Sequence, residues 1–296
     1  MELHLVDATY ELFRAHYSPR PPVRAPDGRE VGAVTGLMYT LLTLLRDEGA
    51  PHVGCATDQV IQSFRNLLYT GYKTEAGVPA ELLAQFPLAE RAMEALGVVV
   101  WPMVEFEADD ALATAAARWA DRPEVERVWI CTPDKDLAQS VVAKRVVQLD
   151  RRTGVVTDED GVRARYGVGP ASIPDWLALV GDSADGFPGL SGWGRQSAST
   201  VLARYGHIDS IPDDVADWDP EVVRAVRSAP TLAGRLAAER GSAVLFRVLA
   251  TLRIERTLLS DVDELCWRGP RPGFADTCRY LRDGSLADRV AALSGS

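Results

Sequence analysis

The chain has 296 residues, of which 47% are hydrophobic and 25% are charged, and its formal net charge is −10. This length allows one large hydrophobic core or two smaller ones. A membrane-spanning helix needs roughly 18 to 20 apolar residues, and no run in the sequence approaches that length. The first apolar run ends at Asp7 and is too short for a signal peptide. We therefore expect a cytoplasmic protein without membrane contact.

The cysteine content argues against one kind of site, whereas the net charge does not decide whether the protein binds nucleic acid. The four cysteines are scattered and form no Cys-x-x-Cys pair, which argues against a zinc site or a disulfide framework. An acidic total argues against nucleic acid, because phosphate contacts need lysine and arginine. Net charge does not report the local field, however, so a basic surface is compatible with the total of −10.

Strand-like and helix-like segments alternate in the first half of the chain. The predicted strands are Leu3–Val6, Val53–Thr57, Val98–Trp101 and Val128–Cys131, and the predicted helices are Gly32–Leu45 and Ala108–Trp119. This alternation predicts an α/β fold with a mostly parallel central sheet flanked by helices. The run Arg145–Asp150, followed by Val155-Val156, predicts a hairpin at the sheet edge.

The character of the sequence changes near Tyr166. Glycine and proline become frequent over residues 167–194, and helical segments without a strong strand follow. We therefore predict a first domain over residues 1–168 and a second, mainly helical module over residues 169–296.

Acidic residues recur where the predicted parallel strands end. Asp7, Asp58, Asp134 and Asp136 follow strands, whereas Glu107, Asp109 and Asp110 open the helix after the third strand. The carboxyl ends of parallel strands meet at one edge of a sheet, and carboxylates collected there need cations to stay ionised. Mg²⁺ and Mn²⁺ prefer oxygen ligands, and two such ions roughly 4 Å apart can hydrolyse a phosphodiester. Each motif alone also fits an ordinary turn or helix N-terminus, so the interpretation rests on their combination.

Four motifs occur in a specific order: Leu5-Val6-Asp7, Glu107-Ala108-Asp109-Asp110, Thr132-Pro133-Asp134-Lys135-Asp136-Leu137 and Gly181-Asp182-Ser183-Ala184-Asp185. This set resembles the 5′-nuclease family, which includes the 5′-3′ exonuclease domain of bacterial DNA polymerase I, phage 5′ exonucleases and flap endonucleases. The resemblance implies a PIN-like nuclease domain followed by a helical module with a helix-hairpin-helix (H3TH-type) turn.

The resemblance also implies site residues. The implied ligands of two divalent cations, Mg²⁺ or Mn²⁺, are Asp7, Asp58, Glu107, Asp109, Asp110, Asp134, Asp136, Asp182 and Asp185. Asp7, Glu107, Asp109, Asp134 and Asp136 are expected around the first ion, and Asp182 and Asp185 near the second.

Two further segments match the family. An arch near residues 60–80 contains Arg65 and Lys73 as implied catalytic cations and Tyr72 as a base-stacking residue. The implied DNA-binding residues of the hairpin are Gly189, Gly192, Gly194, Arg195, Gln196 and Ser197, and the family implies a K⁺ ion there. A helix is expected from Ser197 to Tyr205.

The sequence departs from the family pattern at several positions. Ala76 stands where the arch usually has a basic residue, Gln196 where the hairpin usually has lysine, and Gly186 where asparagine usually follows the last aspartate. None of these changes removes an implied metal ligand. The loss of two cations predicts weaker or more salt-sensitive DNA binding.

The sequence therefore predicts a monomeric nuclease that cleaves near the 5′ ends of flapped, nicked or branched DNA. Its expected roles are the removal of flaps or RNA primers in replication and repair. Two alternatives remain open: a catalytically weak protein that binds DNA structures, and a PIN-type ribonuclease.

Overall fold

The computed structural model describes residues 1–46, 49–255 and 261–294. The strands are β1 Glu2–Asp7, β2 Val53–Asp58, β3 Val99–Met103, β4 Arg127–Cys131, β5 Val146–Asp150 and β6 Val155–Thr157. The α-helices are α1 Ala8–His16, α2 Gly32–Arg46, α3 Arg65–Leu68, α4 Ala80–Leu83, α5 Phe86–Leu96, α6 Ala108–Trp119, α7 Glu159–Tyr166, α8 Ile173–Val180, α9 Arg195–Tyr205, α10 Pro220–Ala225, α11 Ala229–Ala250, α12 Phe274–Tyr280 and α13 Gly284–Ser294.

The chain divides into two compact units, each built from separate stretches of sequence. The first unit contains Met1–Ile61, Glu75–Thr132 and Ile254–Ser296, and the second contains Gln62–Thr74 and Pro133–Arg253. The expected boundary at residues 168 and 169 follows the order of the sequence and stays a prediction. Residues 256–260, 295 and 296 of the predicted second domain lie outside the described residues.

Parallel strands form the centre of the first unit. Their order is β3-β2-β1-β4, and each neighbouring pair is parallel. The chain proceeds from β1 to β2 on one side and places β4 on the other, so the strand order reverses between β1 and β4. In open parallel sheets, the ligand crevice lies outside the carboxyl ends of the strands at such a point. The predicted α/β class is confirmed, and Asp7, the last residue of β1, lies at this switch point.

The burial of β2 and α6 agrees with their places at the centre of the first unit. All residues of β2 are buried, as expected for a parallel strand that is covered on both faces. Helix α6 packs against β1, β2 and β3, and its alanines Ala111 and Ala115 are fully buried. Small side chains along this face let the helix lie close to the sheet.

The C-terminal tail belongs to the first unit, although the sequence prediction groups it with the helical module. The Trp267 backbone N–H donates to the carbonyl of Pro51 at 2.6 Å, and its indole N–H donates to the carbonyl of Leu96 at 2.8 Å. The Tyr39 hydroxyl donates to Asp283 at 2.7 Å. Contacts between residues so distant in sequence leave no local pattern, which is why this placement was not foreseen.

The second unit is mainly helical, as predicted. Strands β5 and β6 form the expected antiparallel hairpin, with Leu149 opposite Val156. Helices α8 and α11 pack together over a core that includes Trp176, Leu177 and Phe246. In the described part of the chain, every helix is too short or too polar to cross a bilayer. The four cysteines are free thiols.

Candidate metal centre

Asp7 is held at the carboxyl end of β1 by hydrogen bonds. One carboxylate oxygen accepts the backbone N–H of Tyr10 at 2.8 Å and caps α1. The other oxygen accepts the hydroxyl of Thr132, the residue that follows β4, at 3.0 Å. These bonds fix the Asp7 carboxylate, which is 6% exposed, at the point where the strand order reverses.

The next two strands of the first unit also end beside acids. Asp58, the last residue of β2, accepts the backbone N–H of Ala108 at 2.7 Å. Glu107 caps α6, and the Asp110 carboxylate accepts the Glu107 backbone N–H at 3.0 Å. Asp58 and Asp110 therefore stabilise the start of α6, whereas Asp109 is half-buried on the same turn. The helix-start interpretation of this motif is thus correct for Asp110, and its metal-binding role stays a prediction.

A tight acidic cluster lies in the second unit. One carboxylate oxygen each of Asp136, Asp182 and Asp185 lies within 4.8 Å of the others. Asp136 and Asp182 are buried, and the Asp185 side chain is 14% exposed. The expected division of ligands placed Asp136 near the first ion, but its carboxylate lies with the pair that was expected near the second.

The loop after α8 brings Asp182 and Asp185 together. Gly181 ends the helix with φ +89°, and a β-carbon there would lie 2.5 Å from the carbonyl of Pro188. Asp182 and Phe187 then exchange two backbone hydrogen bonds of 2.8 and 3.0 Å. The Asp182 carboxylate accepts the backbone N–H of Ala184 at 2.9 Å, which closes the turn around the acids.

Gly186 permits the segment 62–74 to approach this loop. Gly186 has φ +84°, and a β-carbon there would lie 2.2 Å from the carbonyl oxygen of Gly71. Beside it, the Lys73 backbone N–H donates to the carbonyl of Asp185 at 3.0 Å. The replacement of the family's usual asparagine by glycine therefore has a physical reason in this chain.

Two lysines neutralise part of the cluster. Lys73 Nζ lies 3.2 Å from Oδ1 of Asp185, and Lys135 Nζ lies 2.7 Å from Oδ1 of Asp182. Burial lowers the pKa of Lys135, but its hydrogen bond to Asp182 and the nearby carboxylates outweigh this effect and raise the pKa. Lys135 was not among the predicted site residues, although its position between two aspartates was a signal for it.

The environment opposes ionisation of Asp136. Burial, followed by the neighbouring charges of Asp134, Asp185 and Asp182, holds the pKa of Asp136 well above its ordinary value. The pKa of Asp134 is raised by the same kinds of effect.

The cluster fits a divalent cation. Among the described residues, no hydrogen-bond donor reaches the buried Oδ1 of Asp136. An unsatisfied buried carboxylate oxygen is costly unless a cation binds it, and hard divalent ions select all-oxygen donor sets of this kind. The two lysines compensate only part of the negative charge.

Arg65 and Tyr72 lie in places that their predicted roles do not fit. Arg65 is 1% exposed, and its guanidinium donates to the carbonyls of Leu249 at 2.8 Å and Thr251 at 3.2 Å. Tyr72 is 2% exposed, and its hydroxyl donates to Asp185 at 3.1 Å. In this structure Arg65 has no exposed guanidinium for a phosphate, and Tyr72 has no open ring face for a base. Both instead hold the segment that bears Lys73.

The predicted hairpin turn has the expected local geometry. Gly189 and Gly192 adopt φ +70° and +87°, and Gly194 precedes α9. The Ser197 hydroxyl accepts the Gly194 backbone N–H at 3.0 Å. Arg195 and Gln196 are exposed on the first turn of α9, so the helix begins two residues before the predicted start at Ser197.

Comparison with known proteins identifies the family from the sequence itself. Residues 2–167 match the family model described as the 5′-3′ exonuclease N-terminal resolvase-like domain. Residues 168–272 match the model of the 5′-3′ exonuclease C-terminal SAM fold. Together these matches cover most of the chain.

Individual relatives agree with the family models. The chain is 34% identical over 266 residues to DNA polymerase I of Pseudomonas aeruginosa, covering 89% of this chain and 28% of that protein. It is 28% identical over 235 residues to a 5′-3′ exonuclease of Aquifex aeolicus, covering 79% of this chain and 80% of that protein. The chain thus spans about a quarter of the length of the polymerase relatives that it matches.

Solved structures share the fold at low sequence identity. The T5 D15 protein co-crystallised with metal ions has a TM-score of 0.66 and 15% identity, covering 99% of this chain and 98% of that one. The T5 flap endonuclease in a pseudo-enzyme–product complex with DNA and metal ions has a TM-score of 0.64 and 15% identity, with the same coverage. With both domain models matched in order along the sequence, the chain belongs to the 5′-3′ exonuclease family, a family of nucleases.

Proposed function

We propose that this chain is a structure-specific 5′ nuclease that hydrolyses phosphodiesters near the 5′ ends of flapped, nicked or branched DNA. The observation that supports this most strongly is the approach of the Asp136, Asp182 and Asp185 carboxylates to within 4.8 Å of one another. The T5 flap endonuclease complex contains DNA and metal ions, which supports the same classes of ligand here.

Two divalent ions, Mg²⁺ or Mn²⁺, would supply an activated water and stabilise the leaving oxygen. In this proposal Asp136, Asp182 and Asp185 would hold one ion, and Asp134 would contribute to the same site. The acids of the first unit, Asp7, Asp58, Glu107, Asp109 and Asp110, serve the same reaction, as the family resemblance implies. Asp58 and Asp110 then act mainly by fixing the start of α6.

Lys73 is the proposed catalytic cation of the segment 62–74. Its side chain is 22% exposed and reaches the acidic cluster through Asp185 at 3.2 Å. A cation there that transfers from Asp185 to a phosphate oxygen would stabilise the negative charge that develops in the transition state. Tyr72 and Arg65 position this lysine through their buried hydrogen bonds.

The hairpin turn around Gly189, Gly192 and Gly194 would bind the backbone of the duplex. A glycine-bounded turn before a helix presents N–H groups to phosphate without reading sequence. Several finer points are part of this proposal and come from the family resemblance or the sequence: a K⁺ ion at the hairpin, RNA primers on DNA as a second substrate, roles in replication and repair, a monomeric state and a cytoplasmic location.

The proposal is tested by incubating a 5′-flapped DNA duplex with the chain, with and without Mg²⁺ or Mn²⁺, beside the variant Asp134→Ala. We expect ion-dependent cutting near the junction that the variant loses. Tight binding of the flap without cutting under either ion would instead indicate a DNA-structure-binding protein. Cleavage of single-stranded RNA but not of the flapped duplex would indicate a PIN-type ribonuclease.

A further inference from the structure

Each of two arginines in the second unit lies over one ring of an aromatic pair. The guanidinium carbon of Arg165, in the last turn of α7, is 5.2 Å from the Tyr166 ring centroid. That of Arg195, the first residue of α9, is 5.4 Å from the Trp176 ring centroid. The two rings meet edge to face with centroids 5.2 Å apart. Stacking on a ring orients a guanidinium while its N–H donors stay available.

Both arginines are exposed, and neither has a carboxylate partner among the residues that the structure describes. Several other arginines of the unit do have such a partner, for example Arg163 with Glu159 at 2.8 Å and Arg204 with Asp219 at 2.7 Å. The charge of an arginine without a carboxylate partner is not compensated by the protein, so an external anion can pair with it.

The aromatic pair that supports these arginines is firmly anchored. Tyr166 and Trp176 are 4% and 3% exposed. The Trp176 indole N–H donates to the Ser199 hydroxyl at 3.0 Å, and that hydroxyl donates to the carbonyl of Tyr166. Burial raises the pKa of Tyr166; of the nearby charges, Arg165 and Arg195 lower it and Asp134 and Asp136 raise it, so both arginine charges lie near this side chain. Preorganised cations lose less conformational entropy when they bind a ligand.

We propose that Arg165 and Arg195 together bind the phosphate backbone of duplex DNA as a two-cation clamp. Arg165 lies outside the hairpin turn to which the family resemblance assigns DNA contacts, and it supplies positive charge that Gln196 does not. Planar guanidinium groups held on a rigid support suit the bidentate recognition of regularly spaced phosphates. This inference rests on the proposed function, since it assumes a DNA substrate.

The test is the affinity of the full chain for a 5′-flapped DNA duplex, measured by fluorescence anisotropy in EDTA over a series of KCl concentrations. The variants are Arg165→Ala and Arg195→Ala, and thermal unfolding confirms that each stays folded. Arg163→Ala is the matched control, because Arg163 is exposed on the same helix but paired with Glu159. Arg163→Ala removes one positive charge, as the other two variants do, but this charge is already paired with Glu159.

We expect each of the two variants to bind about five- to tenfold more weakly at moderate salt. Each should also lower the slope of log affinity against log salt by about one unit, as the loss of one phosphate contact does. Arg163→Ala should leave the slope unchanged. If Arg165→Ala matches Arg163→Ala in affinity and slope while the wild-type chain binds and cuts the duplex, the clamp is wrong and the nuclease proposal stands. If the wild-type chain neither binds nor cuts the duplex, the proposed function itself is wrong.

Discussion

Lys135 Nζ lies 2.7 Å from Oδ1 of Asp182, so a side chain of the protein itself neutralises a buried member of the acidic cluster. Replacement by Lys135→Gln removes this charge and leaves Asp182 beside Asp136 and Asp185 without it. We expect the ion-free chain to lose about 1–2 kcal/mol of unfolding free energy, a value reduced because Lys135 is a third exposed.

The same substitution removes an amine that competes with a divalent ion for Asp182. Added Mn²⁺ should therefore stabilise Lys135→Gln more than it stabilises the wild type, as measured by thermal unfolding. Lys144→Gln, at an exposed lysine of the same unit, is the control and should change neither value. Equal responses to Mn²⁺ in Lys135→Gln and the wild type would count against this competition.

The surroundings of Asp136 disfavour its charged form, because the side chain is 5% exposed and faces three carboxylates. Asp136→Asn keeps the shape of the side chain and removes the charge. At neutral pH and without divalent ions, we expect the variant to be more stable than the wild type by about 1–3 kcal/mol. Asp209→Asn removes an exposed aspartate paired with Arg247 and should give no such gain. A loss of stability in Asp136→Asn would contradict the charge argument.

The raised pKa of Asp136 also predicts how stability changes with pH. A carboxyl whose pKa is higher in the folded state than in the unfolded state stabilises the fold while it is protonated. That contribution is fully present below the ordinary value of 3.8 and is lost as the pH rises through the raised pKa. Ion-free wild type should therefore lose stability relative to Asp136→Asn as the pH rises.

Divalent ions should reverse this trend, because they bind the ionised carboxylate. The increase in melting temperature produced by Mn²⁺ should grow with pH in the wild type and should be small throughout in Asp136→Asn. Thermal unfolding in matched buffers measures both effects. An ion-induced increase that is independent of pH would show that Asp136 does not titrate in this way.

Gly186 couples the acidic loop to the segment that bears Lys73. In Gly186→Ala, the new β-carbon would meet the Gly71 carbonyl at 2.2 Å, and φ is +84°. We expect a loss of about 3 kcal/mol of unfolding free energy and slower DNA cleavage, because the backbone contact with Lys73 shifts.

Gly154→Ala is the matched control for the backbone conformation. Gly154 has φ +72°, but nothing lies within 4 Å of a β-carbon there. This variant should lose only about 1 kcal/mol, and its cleavage should be unchanged. If the two variants were equally stable, the close approach at Gly71 would not constrain the loop.

Much of the first unit could be predicted from the sequence. Helix α6 has its predicted bounds, Ala108–Trp119, and β1 extends the predicted Leu3–Val6 by one residue at each end. These segments are buried and compositionally uniform, so their patterns are strong. The sequence prediction did not include helix α1, which follows β1 without a loop, because Asp7 is both the last residue of the strand and the N-cap that accepts the Tyr10 N–H.

The roles of Arg65 and Tyr72 could not be predicted in the same way. A motif identifies a residue type at a position, but it does not show that Leu249 and Thr251 cover the Arg65 guanidinium from far along the chain. The grouping of Asp136 with Asp182 and Asp185 likewise depends on tertiary structure, because Asp136 is far from the other two in sequence. The strand-end pattern and the family resemblance imply the acids as a set, and the fold determines that Asp136, Asp182 and Asp185 approach one another.

The most direct test of the metal centre is the rate at which the chain cuts a 5′-flapped DNA duplex as Mn²⁺ is added. The wild type is compared with Asp182→Asn and with the control Asp213→Asn, an aspartate whose side chain is 71% exposed and paired with Arg240. The account predicts no cutting without the ion, full cutting by the control and a loss of about 100-fold or more in Asp182→Asn. Cutting by Asp182→Asn at the wild-type rate, or cutting that needs no divalent ion, would contradict the assignment of the acidic cluster as the metal centre.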